Sequence, residues 1–333
     1  MTYSSGGLIE ATDYNGFVST TSGANLNDVW AAGSGDKGWG QTAVSTVTGG
    51  TDTVTATQWA SLVNTLSSAG SQTNTALTAR SAPTAGQTID ILAALNTDLT
   101  SVTTNRGNAA ASGTAYGTFS GTTSKTTGTG TGTDAWTITF THTVTFPSAN
   151  QARYFWNAGG IVRVQYGKSS TGTDNDPDWN TFVGLCGSIN LTGRVNSTTQ
   201  TIAGQAYTGT TRLGGTGGTQ TTLATTTGWY NLTATPATIF QLNDTVSPYT
   251  GDYIRTTATA TSSTVLTLVT TWVSTARAAA GQSTNITGGI ATASPSTTIT
   301  GSAPTTLVTY LPPSGTYLTV ASWGTPTIAA SVA

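Results

Sequence analysis

The sequence predicts a mainly β protein: a β-sandwich-like body preceded by an extended N-terminal arm and a short αα-hairpin. Three observations carry that expectation. About a quarter of the 333 residues are Thr, and nine Trp, eleven Tyr and seven Phe are spread along the chain. β-branched and aromatic side chains of this kind pack well on a pleated surface. Residues 136–146 alternate strictly, with Trp136, Ile138, Phe140, His142, Val144 and Phe146 on one face and Thr at each position between; this is the period of a half-buried strand. Two helical signatures precede that strand, near residues 55–70 and 89–103.

Residues 1–50 are rich in Gly and Asn and carry isolated aromatics, among them Tyr14, Phe17, Trp30 and Trp39. With no sustained period, they read as an extended attachment arm or as surface turns. Residues 51–112 form the helical hairpin. Thr55-Ala-Thr-Gln58 has the form of a capping box, and Trp59, Leu62, Val63 and Leu66 follow on one helical face. Gly70 is the expected stop. In the second helix Thr88 is the cap, and Leu92, Leu95, Leu99 and Val102 fall at a/d heptad spacing. Arg106 and Gly107 mark its end. These narrow apolar seams either pack on the chain's own β body or meet those of other copies in a homo-oligomer.

Residues 113–134 read as a Gly/Thr linker. The β-rich body, 135–333, follows, with a subdivision near 206–228. Within it, strands are expected at 136–146, 161–166, 229–234, 238–242, 252–261, 264–273, 306–311 and 317–323. A helical turn is expected at 151–157 and a short helix at 179–185. Many short strands with Gly, Pro and Ser turns suggest a sandwich.

Charge is scarce. Only 7% of residues are Asp, Glu, Lys or Arg, against about 25% in ordinary soluble proteins. The net charge of -2 leaves no electrostatic footprint for nucleic acid. No stretch approaches the roughly 18 apolar residues of a membrane span, and the first residues show no export signal. With one Cys, no intrachain disulfide forms.

Reactive side chains are few: one His, one Cys and one Glu, Glu10. His142 lies on the apolar face of the alternating strand and reads as a buried, hydrogen-bonded core residue rather than a base. Cys186 sits in an apolar stretch and reads as an inert thiol. Asp174, Asp176 and Asp178 alternate, and closely spaced carboxylates can bind Ca²⁺. However, Pro177 and Trp179 break the EF-hand pattern, so a solvated acidic turn is the simpler reading. Tyr310, Tyr317 and Trp323 could stack on sugar rings, with core packing as the alternative. No catalytic residue and no cofactor is expected.

Two stretches resemble virion structural proteins of tailed bacteriophages. One runs from Ala56-Thr-Gln-Trp-Ala-Ser-Leu62 through Ala82-Pro-Thr-Ala-Gly-Gln-Thr-Ile-Asp-Ile-Leu92 to Thr104-Asn-Arg-Gly-Asn108. The other is Phe146-Pro-Ser-Ala-Asn-Gln-Ala-Arg-Tyr-Phe-Trp-Asn-Ala-Gly-Gly160, followed by Ile161-Val-Arg-Val164 and Asp178-Trp-Asn-Thr-Phe182. The resemblance implies a particle component, such as a tail fibre, a baseplate appendage or a capsid decoration protein, and the scarcity of reactive side chains adds the expectation that it is not an enzyme. Its expected partners are copies of itself in a homotrimer, other virion proteins, and a host cell-surface glycan. Its expected location is the virion.

Overall fold

The structure is a computed structural model. It describes residues 10–20, 23–85, 92–110, 119–130, 135–169, 176–194, 199–215, 221–245, 249–275, 299 and 302–333. The thirteen strands in this description are β1 (Phe119–Ser124), β2 (Trp136–Thr145), β3 (Ile161–Gly167), β4 (Ser188–Leu191), β5 (Thr199–Ile202), β6 (Gln205–Thr208), β7 (Thr210–Leu213), β8 (Thr221–Leu223), β9 (Ala237–Asn243), β10 (Tyr253–Ser262), β11 (Val265–Ser274), β12 (Thr305–Leu311) and β13 (Thr327–Val332). The α-helices are α1 (Ala11–Val18), α2 (Ala56–Gln72), α3 (Leu92–Asn105), α4 (Ala149–Asn157) and α5 (Asp176–Cys186).

The body is a β-sandwich of antiparallel sheets. One sheet has the order β1-β12-β3-β4-β7 and the other β13-β2-β11-β10-β9-β8, while β5 and β6 form a separate hairpin. The sheets face each other through large side chains. Tyr166 of β3 stacks on Phe240 of β9 with ring centres 5.9 Å apart. Its hydroxyl lies 2.7 Å from that of Thr256 on β10. Trp272 of β11 donates its indole N–H to Thr306 of β12 at 3.1 Å. In β2 the alternation predicts the burial: Trp136, Ile138, Phe140, His142 and Val144 are buried, and the Thr residues between them are not.

The helical pair forms as expected. Thr55 accepts from the Gln58 N–H, and Gln58 accepts from the Thr55 N–H. Trp59, Leu62, Leu66, Leu95, Leu99 and Val102 are all 0–1% exposed and belong to one core cluster with Ile138, Trp156 and Trp272. Those seam residues are thus covered within the chain; the Leu92 side chain lies outside the described residues. Gly70 does not stop α2. The helix runs two residues further, and a Cβ at Gly70 would stand 2.5 Å from Leu77, so this glycine permits a close approach. The helix ends in a Schellman motif: Thr75 N–H reaches the Gly70 carbonyl, Asn74 N–H reaches that of Ser71, and Asn74 sits at φ 52°.

Several expectations require correction. The first fifty residues are not simply extended, since they contain α1 and a π-helical turn at Asp28–Ala32. Tyr14, Phe17 and Val18 have i, i+3, i+4 spacing and point into the shared core. The extended part, near residues 42–48, is held by side-chain amides rather than by a sheet. Asn27 bonds both the N–H and the carbonyl of Val44, and Asn15 does the same for Val47. The linker at 113–134 contains the edge strand β1, paired with β12. The Gly/Thr region at 206–228 contains β6, β7 and β8. Residues 229–234 begin with a 3-10 turn instead of a strand, because the Asn231 side chain accepts from Gly228 N–H. Residues 317–323 end in a 3-10 turn, and the Thr319 N–H is taken by the Gln41 side chain at 2.7 Å instead of by a neighbouring strand.

Candidate functional site

The few reactive side chains are dispersed: His142 and Cys186 are buried, whereas Glu10 is exposed. His142 is fully buried, with Nε2 3.2 Å from the Thr123 hydroxyl. Burial lowers its pKa and favours the neutral ring. Cys186 is also fully buried, and burial pushes its thiol far above the usual range. It is therefore a poor nucleophile. Glu10 precedes α1, and its backbone N–H donates to Asp13 at 3.0 Å, as at a capped helix start.

Of the three alternating aspartates, Asp174 lies outside the described residues. Asp176 and Asp178 fall in the first turn of α5, where negative charge suits the helix dipole; nothing is described of their side chains. Among the described residues, no group of three or more His, Cys, Asp or Glu stands together to hold a metal. No described helix is long and apolar enough to cross a membrane.

The aromatic candidates separate. Tyr310 and Trp323 are 1% and 3% exposed and belong to the core. Tyr310 packs edge-on against Phe155, with ring centres 6.0 Å apart. Neither can offer a face to a ligand in this structure. Tyr317 is 39% exposed and lines a groove of about 870 Å³.

This groove lies between the C-terminal end of α2, residues 108–110 and the β5–β6 turn. Its polar lining is hydroxyl and amide, including Ser71, Thr73, Asn74, Asn108 and Thr201, and no charged side chain is among its described lining residues. Asn74 and Ala203 are the two described non-glycine residues at positive φ, and both line it. Asn74 has a local cause in the helix cap. Ala203 has φ 51° and is followed by Gly204 at φ 80°. Two-residue hairpin turns with both central residues at positive φ favour Asn or Gly there, so Ala203 is held in a costly conformation.

A second cavity, of about 240 Å³, is lined by Asp36, Gly107, Trp156, Asn157, Gly193, Arg194 and Tyr230. Here the chain gathers its scarce charge. Asp36 Oδ2 accepts from Arg106 at 2.6 Å and from Arg194 at 3.2 Å. Arg153 donates to the carbonyls of Gly33 and Lys37. The Asn157 amide nitrogen reaches the carbonyls of Gly35, Lys37 and Gly38. The Tyr230 hydroxyl donates to Asn157 Oδ1 at 2.6 Å, and burial raises its pKa well above the ordinary value. Burial, and then the charge of Arg106, lower the pKa of Arg194. The result is a polar clasp that ties loop 33–38 to α3, α4 and the body.

Sequence reading missed both cavities because their residues are far apart in the chain. The usable signal was charge scarcity: with eleven Lys and Arg in total, each buried arginine marks an organised contact. Comparison with known protein families, curated proteins and solved structures finds no match.

Proposed function

We propose that this chain is a structural subunit of a tailed-phage virion, a homo-oligomeric tail fibre or tail or baseplate appendage that acts by contact rather than by catalysis. The observation that carries this reading is the placement of the reactive groups. His142 and Cys186 are each 0% exposed and lie on different elements of the body. The composition and the two stretches that resemble virion proteins add support. With the helix seams buried in cis, contacts between copies would use the Thr-rich faces and the open sheet edges. β13 is one such edge, and most of its residues are exposed. Repetition of identical weak contacts then gives firm assembly. Native mass measurement of the purified chain tests the oligomer: a trimer is expected, and a stable monomer at micromolar concentration would count against it. Antibody labelling of particles in micrographs tests the location.

The uncharged groove favours a second reading, a receptor- or glycan-binding module. Hydroxyl and amide groups beside an exposed tyrosine suit a neutral sugar. A glycan array is the test. Saturable binding that Tyr317→Ala weakens supports this reading, and absence of binding leaves the scaffold role.

A further inference from the structure

We infer that the 240 Å³ cavity at the clasp binds a small oxyanion, as a free phosphate or carboxylate or as such a group on a larger ligand. Charge balance is the first argument. Arg194 lines the cavity with Asp36 and Tyr230, Arg106 bonds the same Asp36 oxygen, and Arg153 lies near enough to Tyr230 for its charge to act on the hydroxyl. The nearby Lys37–Asp28 pair is bonded within itself at 2.9 Å, which leaves three guanidinium groups against one carboxylate. The whole chain has a formal charge of -2, so this local excess runs against its average. Arg106 and Arg194 also share a single carboxylate oxygen and repel each other. An added anion would relieve that repulsion.

Unused donors are the second argument. Trp156 lines the cavity and is 2% exposed, and its indole Nε1 is buried without a hydrogen-bond partner. Arg106, which adjoins the lining through Asp36 and Gly107, also has its Nε buried and unpartnered. Buried donors of this kind are rare, and each calls for an acceptor. The third argument is the space itself. Gly107 lines the cavity and seats the Arg194 guanidinium, which a Cβ there would overlap, so that the arginine is held in the cavity wall. A volume of 240 Å³ holds an oxyanion with several waters, each water taking about 30 Å³.

The test is calorimetric titration of the full chain with sodium phosphate and, separately, sodium acetate, at constant ionic strength in chloride. One saturable site per chain is expected with at least one of them. Phosphate alone assigns a phosphate-bearing ligand, acetate alone a carboxylate, and both together a general oxyanion site. Arg194→Gln should weaken binding by about tenfold or more, the value of a charge-assisted hydrogen bond. Asp36→Asn should tighten it, because a competing carboxylate is removed. No saturable heat with either anion overturns the inference. If Arg194→Gln does not fold, Asp36→Asn decides: tighter binding sustains the site, and unchanged or weaker binding overturns it.

Discussion

The clasp and the groove are opposite in chemistry. The clasp is small, and its Asp36 carboxylate takes two guanidinium groups, Arg106 and Arg194, of which Arg194 lines the cavity. The groove is more than three times larger and is lined by hydroxyls, amides and backbone, with no charge among its described residues. The difference shows how a charge-poor chain uses its ions. It uses them at half-buried contacts that fix loops lacking a sheet or helix ladder, and leaves its wide groove neutral among the described residues. The ion pair near the groove follows the same rule. Arg80 and Asp98 are 7% and 5% exposed at their side chains, and Asp98 also accepts from the Thr78 N–H. That pair supports the segment behind the groove and does not line it.

The largest expected effect comes from breaking that support. Asp98→Ala leaves a guanidinium buried without its partner, which costs about 3–5 kcal/mol. Urea unfolding measures it, and a loss below about 1 kcal/mol would show that the pair behaves as a surface bridge. Gly107→Ala strikes the clasp. The new methyl meets the Arg194 guanidinium, and overpacking of this kind costs about 1–3 kcal/mol. An unchanged unfolding midpoint would mean that Arg194 moves aside freely.

Acid sharpens the contrast next. Burial holds the His142 pKa below its usual value, so the unfolded chain takes up a proton at higher pH than the folded one. Stability from this group is therefore full above about pH 6.5 and falls as the pH drops below it. His142→Gln should remove that part of the slope in unfolding experiments between about pH 5 and 7.5. An identical slope in both proteins would refute the assignment. The smallest effect belongs to the groove: Tyr317→Ala should change stability by less than about 0.5 kcal/mol, as for most exposed positions. A larger loss in thermal unfolding would make Tyr317 a structural residue.

Local patterns were legible in the sequence. Alternation over residues 136–146 identified β2 and its buried face, and the Thr55–Gln58 box identified the start of α2. What escaped depends on distant partners. Residues 42–48 have no period of their own because Asn15 and Asn27 supply the bonds that a strand would. Residues 317–323 look like a strand, but Pro312 and Pro313 precede them and Gln41 takes the Thr319 N–H. The sandwich itself follows from composition, whereas β1 and β7 were hidden in Gly/Thr-rich sequence that carries little hydrophobic signal. Neither cavity could be read locally: Asp36 and Arg194 are separated by 158 residues.

The Gln41 contact also bears on how the chain is made. Gln41 bonds Thr319 and Ser322, which lie 278 and 281 positions further on. β13 likewise completes the sheet edge beside β2. At about 5–20 residues per second, the ribosome delivers those partners tens of seconds after Gln41 emerges. The Tyr14, Phe17 and Trp59 rings can pack together early, but Gln41 must wait through that interval for its acceptor and donor partners. The Gln41 contacts and the β13–β2 edge are thus the last to become available during synthesis.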